Sequence, residues 1–270
     1  MSDTSLKFQK NVTQLKIATW NVNSIRVRLQ HLLDWLEKFE PDIIALQETK
    51  VIDEQFPLAA IEAAGYHAVF AGQKSYNGVA LLSRLPAQDV IRDIPNLEDS
   101  QRRIIAATFG KLRILNLYVP NGANLESDKY QYKLDWLAKV HDYISDNIKK
   151  SPELIVLGDF NIAPEDADVY DPKAWQGKIL VSPAERAALQ ALEDLGLDDT
   201  FRLFEQQTDS FSWWDYRMGA FVRNRGVRID LILASKLLSN KCQSCNIDTK
   251  PRSLERPSDH APIIACFDII

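Results

Sequence analysis

Two polar residues, Asp159 and Asn161, follow directly after the apolar run 154–157 and Gly158. An apolar run that contains β-branched residues and stops at glycine predicts a strand buried on both faces. Chemistry in open α/β sheets usually lies at the carboxyl end of such a strand. Alternation points both polar side chains the same way and turns Phe160 into the core. A carboxylate beside a carboxamide suits a metal, a phosphate or an attacking water, but equally an Asx turn that closes a strand.

Polar residues of similar types recur wherever an apolar run stops along the chain. Besides the pair above, they are Asn21, Glu48, Tyr118, Asp230, Asp259 and His260. These residue types bind metals and phosphates or move protons, and they converge if their strands share one sheet edge. Glu48 follows an apolar strand and suits Mg²⁺, which prefers oxygen ligands. Taken alone, Glu48 is also an ordinary acid in the first turn of a helix.

His260 follows Asp259 shortly before the last predicted strand, where it suits proton transfer or phosphate binding. A single histidine is nevertheless more often structural or exposed. Asp230 lies inside an apolar run and must be paired if it is buried. Its partner is either His260, in a catalytic pair, or Arg228, in a structural one. Tyr118 ends its strand, where a phenol suits phosphate or is simply a half-buried aromatic with its hydroxyl in water.

The apolar pattern predicts the strands and helices that must position these residues. A strand at 15–20, an amphipathic helix at 29–39 and a strand at 42–46 resemble a βαβ unit. Further strands are predicted at 69–71, 79–83, 103–109, 112–119, 154–157, 211–214, 227–234 and 262–269. Further helices are predicted at 130–148 and, behind a capping box, at 183–195. We therefore predict a single domain over residues 15–270, preceded by a flexible tail at 1–14.

The composition limits the class of protein. A net charge of −5 argues against a surface coated in basic residues. We find no membrane-length apolar run and no signal peptide, so we expect a cytoplasmic protein with no membrane partner. We also expect a monomer. The thiols lack the partners of a zinc site and are interpreted as incidental; they are Cys242, Cys245 and Cys266. The acid-free segment 216–229 carries four arginines, which suit a solvated loop or a local basic face.

Six motifs together resemble the exonuclease III family, the bacterial apurinic/apyrimidinic endonucleases of the endonuclease/exonuclease/phosphatase superfamily. The motifs are Thr19-Trp20-Asn21-Val22-Asn23, Leu46-Gln47-Glu48-Thr49-Lys50, Tyr76-Asn77-Gly78-Val79-Ala80, Leu157-Gly158-Asp159-Phe160-Asn161, Arg228-Ile229-Asp230 and Pro257-Ser258-Asp259-His260-Ala261-Pro262. Each motif alone is weak to moderate, but all six in this order are specific. The resemblance covers nearly everything from Lys16 to Phe267.

The resemblance implies an α/β fold, a four-layer α/β sandwich in which two mixed β-sheets pack face to face with helices outside. It also implies a DNA-repair phosphodiesterase that depends on Mg²⁺, with Mn²⁺ as a substitute. Such an enzyme cleaves double-stranded DNA 5′ to abasic sites and trims blocked 3′ ends by direct attack of water. The metal would be held chiefly by Glu48, together with Asn21, Asp159, Asn161 and Asp259.

The same resemblance implies catalytic roles. Asp159 would orient or deprotonate the attacking water, and Asn161 would bind the scissile phosphate. His260, held by Asp230, would stabilise the growing negative charge, and Tyr118 would contact phosphate or assist the leaving oxygen. Whether Asp159 or His260 is the general base stays open.

The resemblance also implies a DNA surface. Residues that match the pocket for a flipped abasic sugar are Trp213, Val227 and Ile229, and an apolar pocket favours a sugar without its base. Arg217 would probe the duplex beside the lesion. Candidates for salt-sensitive backbone contacts are Lys50, Arg223 and Arg225. We also expect Gln176 to border the pocket and to permit abasic cleavage.

Two other functions compete with this interpretation. A superfamily member acting on lipid or inositol phosphate head groups is disfavoured by the arginine-rich segment. A non-enzymatic DNA-binding descendant should have lost a metal ligand or the histidine–aspartate pair, and all of these are present.

Overall fold

A computed structural model describes residues 13–95, 97 and 99–269 of the chain. Its strands are β1 (Thr13–Asn21), β2 (Ile43–Gln47), β3 (His67–Ala71), β4 (Val79–Ser83), β5 (Gln88–Ile91), β6 (Ile104–Phe109), β7 (Leu112–Tyr118), β8 (Leu154–Asp159), β9 (Leu197–Asp199), β10 (Asp230–Ser235), β11 (Cys242–Ile247) and β12 (Ile263–Ile269). Its helices are α1 (Ile25–Phe39), α2 (Leu58–Ala63), α3 (Asp128–Lys150), α4 (Pro172–Trp175), α5 (Pro183–Glu193) and α6 (Lys236–Ser239).

The strands form two six-stranded mixed sheets. The first sheet has the order β11-β12-β1-β2-β4-β3, and the second has the order β5-β6-β7-β8-β10-β9. Each sheet contains one parallel pair, β1 with β2 and β7 with β8, and its other pairs are antiparallel. Helices α1 and α3 make the crossovers between these parallel strands, because a parallel connection requires a long return path.

The central strands are buried on both faces, which explains their continuous apolar runs. On β8, Ile155 and Leu157 pack into the core between the two sheets. Leu154 and Val156 point the other way, into a core shared with α3 and α5. The outer face of the first sheet packs in the same manner against α1 and α2. The predicted four-layer α/β sandwich is therefore confirmed, and Phe160 lies in the core as expected.

The structure corrects several predicted elements. The segment predicted as a strand at 211–214 forms only isolated bridges, from Trp213 to Val227 and to His260, because it bends between two different partners. Strands β5, β9 and β11 were not predicted, since they are short or lie at sheet edges with little apolar alternation. Strand β1 begins at Thr13, so it includes the last two residues of the predicted tail. Residues 1–12 lie outside the described part of the chain.

The three cysteines are free thiols, and two of them lie on the edge strand β11. Among the described residues, no helix has both the length and the apolar character that crossing a membrane requires.

Candidate active site

The first sheet brings three of the predicted residues to one edge. Asn21 is the last residue of β1, and Glu48 follows the parallel strand β2 directly, so both lie at the same end. His260 precedes β12, which runs antiparallel to β1 and therefore starts where β1 ends. The indole of Trp20 donates to the carbonyl oxygen of His260 over 3.1 Å, and Ser258 Oγ donates to the carbonyl oxygen of Asn21 over 2.7 Å. These bonds tie the histidine loop to β1.

The second sheet contributes three more residues in one row. Tyr118 on β7 is in register with Asp159 on β8, and Asp159 is in register with Asp230 on β10. Because β10 is antiparallel to β8, its first residue lies beside the last residue of β8. Asp159 and Asp230, which lie 71 positions apart in the sequence, therefore become neighbours through strand register alone.

The carboxylates of the two sheets meet across the amide of Asn21. Its Nδ2 donates to Glu48 Oε1 over 2.8 Å and to Asp159 Oδ2 over 2.9 Å. Ligand atoms of Glu48, Asp159 and His260 all lie within 4.8 Å of one another. Two carboxylates at this spacing supply oxygen donors of the kind that a divalent cation binds. The carboxylates present therefore fit a divalent cation.

The other predicted metal ligands lie beside this group. Asn21 presents nitrogen, not oxygen, to the carboxylates, and its Oδ1 accepts from the Asn23 backbone over 3.0 Å. Asp259 accepts from Asn23 Nδ2 over 2.9 Å and from Trp213 Nε1 over 3.0 Å. Although burial opposes it, His260 and these donors hold the pKa of Asp259 below its usual range. The roles of Asn21, Asp259 and Asn161 as metal ligands stay predictions.

Asp230 pairs with His260, which decides between the two partners that the sequence left open. His260 Nδ1 lies 2.8 Å from Asp230 Oδ2, and its Nε2 lies 3.7 Å from Asp159 Oδ2. Burial alone would lower the pKa of His260, but the Asp230 and Asp159 carboxylates outweigh burial and raise that pKa. Burial has the opposite effect on a carboxyl group: it raises the pKa of Asp159, although His260 opposes this rise. The imidazole is thus held as a proton donor that faces Asp159.

Arg228 belongs to a separate structural ion pair network. Its Nε lies 2.6 Å from Asp168 Oδ1 and its Nη1 lies 2.7 Å from Asp199 Oδ2. The guanidinium is fully buried, so two carboxylates are needed to balance its charge and its donors.

Asn161 and Tyr118 complete the polar wall of the site. Asn161 Nδ2 donates to the carbonyl oxygen of Val119 over 3.0 Å, and Asn161 Oδ1 accepts from Asn121 Nδ2 over 3.0 Å. The Arg103 guanidinium lies over the ring of Tyr118, with its central carbon 4.7 Å from the ring centroid. Burial and the nearby Glu48 and Asp159 carboxylates raise the pKa of Tyr118 well above its usual value, so the phenol keeps its proton.

A buried lysine that the sequence analysis did not identify binds the backbone of Asn161. Lys133 Nζ donates to the carbonyl oxygen of Asn161 over 2.7 Å and forms a fully buried ion pair with Glu185. The sequence contained half of the signal, since Glu185 is the acid of the capping box that opens α5. The second signal was Lys133 itself, which lies on the apolar face of α3, where a charge must be paired.

Ser212 is the second residue that was missed. Its hydroxyl donates to Asp230 Oδ2 over 2.7 Å and accepts from the backbone nitrogens of Ile229 and Asp230 over 3.0 and 3.1 Å. It therefore positions the carboxylate that holds His260. Nothing in a lone serine between aromatic residues points to this role.

We expect Ser212→Ala to lower the turnover number about tenfold and to destabilise the fold by about 1–3 kcal/mol, because it leaves buried backbone donors unpaired. Denaturant unfolding and steady-state kinetics would measure both effects. Ser210→Ala, two positions away, removes a half-buried hydroxyl that donates to the carbonyl oxygen of Gln207 over 2.8 Å and does not contact the site; it should change neither by much. A Ser212→Ala enzyme that matches Ser210→Ala in both assays would remove the positioning role.

The polar wall borders a cavity of about 900 Å³. Trp213, Ile229 and Arg217 line it, and the exposed Arg217 guanidinium is held by Asp215 through two hydrogen bonds of 2.9 and 2.7 Å. Their contacts with DNA stay predictions. Lys50 is not part of this lining; its side chain points to Glu48, with Nζ 2.6 Å from Oε2. The cavity is also lined by Leu125, Glu126, Trp175, Lys178 and Ile179.

One expectation about the cavity is corrected. Val227 is fully buried and lies behind the wall, in a core cluster with Ala163, Val169 and Leu180. Its backbone bonds to Trp213 in both directions and turn its side chain inward. Gln176 is exposed and lies between Trp175 and Gly177, which both line the cavity, so its role in abasic cleavage stays a prediction. Arg223 and Arg225, which were predicted to contact the DNA backbone, are exposed and lie outside this lining.

Comparison with known proteins identifies the class to which this fold and site belong. The family model described as the endonuclease/exonuclease/phosphatase family matches residues 18–260, and the chain belongs to that family.

Its relatives lie in the exonuclease III branch. An exodeoxyribonuclease III from Haemophilus influenzae is 41% identical over 266 residues, which cover 94% of this chain and 100% of the relative. A 3′ phosphatase from Neisseria, solved with a product DNA hairpin, is 46% identical with a TM-score of 0.93, covering 94% of this chain and 100% of its own. An AP endonuclease from Archaeoglobus fulgidus is 40% identical with a TM-score of 0.91, at the same coverage of 94% and 100%. The resemblance found in the sequence is confirmed.

Proposed function

We propose that this chain is a Mg²⁺-dependent DNA-repair phosphodiesterase that cleaves the backbone 5′ to abasic sites and trims blocked 3′ ends. The observation that carries the proposal is the meeting of Glu48, Asp159 and the His260–Asp230 pair at one edge of a 900 Å³ cavity. The exodeoxyribonuclease, 3′ phosphatase and AP endonuclease among the relatives support DNA as the substrate.

Hydrolysis of a phosphodiester needs an aligned water, neutralised phosphate oxygens and help for the leaving group. Asp159, with one oxygen fixed by the backbone nitrogen of Asn161 over 2.9 Å, is placed to orient the water and take its proton. His260 donates from Nε2 toward the same position, where a phosphate oxygen would gain negative charge. Tyr118 keeps its phenol proton and is placed to assist the leaving oxygen.

Glu48 and Asp159 would hold the divalent cation, with His260 at the margin of the same group. When bound, the cation would neutralise charge on the phosphate and the leaving oxygen. The Asn21 amide keeps the two carboxylates together, because each accepts from the same nitrogen. This bridge reduces the repulsion between them before any cation or substrate arrives.

The cavity also suits a sugar without its base. The indole of Trp213 and the side chain of Ile229 supply an apolar wall, and Trp175 also lines the cavity. Such a pocket favours a sugar that lacks its base over an intact nucleotide. Arg217 at the rim supplies a cation for the backbone of the neighbouring strand.

The test is incision of a labelled duplex that carries one synthetic abasic site, with Mg²⁺ and with chelator, alongside a nicked duplex with a 3′ phosphate. We expect metal-dependent incision 5′ to the lesion and removal of the 3′ phosphate. Trimming without incision would keep the mechanism and limit the protein to 3′ ends. Inactivity on both substrates would overturn the DNA-repair proposal and direct the search to phosphorylated lipids.

The ratio of the two activities should depend on Gln176. It lies between the cavity residues Trp175 and Gly177, and its backbone ends α4. We expect Gln176→His to lower abasic incision relative to 3′ trimming about tenfold, since a bulkier ring there would shift this wall toward the substrate. The rates on the two duplexes measure the ratio. Lys173→His, on the same helix and exposed, should leave it unchanged, and an equal ratio in both variants would end the hypothesis.

A further inference from the structure

The ammonium group of Lys50 is bound to a carboxylate oxygen of Glu48. Its Nζ lies 2.6 Å from Glu48 Oε2 and donates to Asn23 Oδ1 over 2.5 Å. Glu48 is the acid that the proposed function places at the metal. The resting site therefore already contains one cation bound to the principal metal ligand.

The backbone of the loop that contains Glu48 and Lys50 brings the ammonium close to the carboxylate. Glu48 and Lys50 both have left-handed backbones, with φ of 53° and 54°, and the Lys50 nitrogen bonds to the Asn77 carbonyl oxygen over 3.0 Å. Asn23 is fixed in turn, because its Nδ2 donates to Asp259 Oδ1 over 2.9 Å. Both partners of the ammonium are anchored, whereas the lysine stem is flexible and its side chain is 26% exposed.

A second cavity of about 480 Å³ adjoins the first through Glu48 and Tyr118. Its described lining carries three cations, Lys50, Arg103 and Lys129, and Glu48 is its one acid. If a divalent cation neutralises Glu48, the charge left in this cavity is positive. Such a cavity suits a phosphate group of the DNA backbone.

We propose that Lys50 is a counterion that competes with the divalent cation for Glu48, and that the bound metal releases its ammonium to a backbone phosphate in the adjoining cavity. The inference rests on the proposed metal site and adds a coupling between metal and duplex. Each should then tighten the binding of the other by the same factor.

Removal of the ammonium distinguishes competition from simple support. If Lys50 competes, Lys50→Met frees Glu48 and tightens metal binding about fivefold, the equivalent of a partly exposed ion pair. If Lys50 only holds Glu48 in place, the same variant loosens metal binding. The two roles predict opposite signs, so the measurement decides between them.

The experiment is a titration of the DNA-free protein with Mn²⁺, followed by electron paramagnetic resonance. Lys50→Met should bind Mn²⁺ about fivefold more tightly than the unaltered protein, and Lys50→Arg, which keeps the charge, should stay close to it. Lys129→Met removes a neighbouring exposed positive charge and tests whether loss of any nearby charge has the same effect on Mn²⁺ binding. Equal or weaker binding by Lys50→Met overturns the inference while leaving the proposed function intact. Failure of the unaltered protein to bind Mn²⁺ would overturn both.

The coupling is measured by fluorescence anisotropy of a lesion-free duplex with nuclease-resistant phosphorothioate ends. Mn²⁺ should tighten duplex binding by the unaltered protein more than binding by Lys50→Met. An identical factor in the two proteins would show that Lys50 does not transfer to phosphate, and would overturn that part of the proposal.

Discussion

Asp159→Asn should lower the rate of abasic incision by at least about 10³-fold while the fold and the affinity for duplex DNA are retained. The change keeps the shape of the side chain and removes the charge that orients the water. It also replaces an acceptor that faces both Asn21 Nδ2 and His260 Nε2. Single-turnover kinetics with saturating enzyme would isolate this loss from binding.

The matched control for this change is Asp142→Asn, which alters an exposed acid on α3. It should leave incision within about twofold of the unaltered protein, since isolated surface charges contribute little. Retention of more than a tenth of the rate by Asp159→Asn would show that Asp159 neither orients nor deprotonates the water. Unfolding curves for both variants would show that folding is preserved.

Gly158→Ala should destabilise the protein by more than about 4 kcal/mol, the largest effect we expect on stability. A Cβ at this position would lie 1.9 Å from the carbonyl oxygen of Leu117, its neighbour in the parallel pair of β7 and β8. The backbone has φ of +140°, which L-residues rarely adopt. Neither the strand oxygen nor the glycine can move without breaking the row that holds Asp159.

Gly110→Ala separates backbone strain from the steric clash. Gly110 also has positive φ, +64°, but an added Cβ there would have no heavy atom within 4 Å. That variant should cost only about 1–2 kcal/mol, the strain of a left-handed residue. Denaturant titration gives both values. A Gly158→Ala protein as stable as Gly110→Ala would mean that β7 and β8 separate easily, contrary to their close packing.

The sequence predicted the central strands because they are buried on both faces and leave continuous apolar runs. It also predicted most polar residues of the site, since each follows the end of such a run. It could not decide the partner of Asp230, because that choice depends on the register of β10 against β8. Apolar periodicity identifies a strand but carries no information about its register.

The supporting residues were harder to predict for a related reason. Lys133 and Ser212 act from behind the site, through bonds to Asn161 and Asp230 that cross between distant elements. The burial of Val227 also depends on a packing cluster that forms only when loops from three parts of the chain meet. Such features become visible only after the tertiary packing is known.

The split of the site between two sheets has a consequence for synthesis of the chain. Strand β1 lies between β2 and β12, and Trp20 on β1 bonds to His260 across 240 positions of sequence. At ribosomal rates, roughly 10–50 s separate the emergence of these two residues. Glu48 and then Asp159 emerge during that interval, and His260 emerges last, shortly before β12. If His260 acts as proposed, the nascent chain cannot complete the site until this last loop has been made.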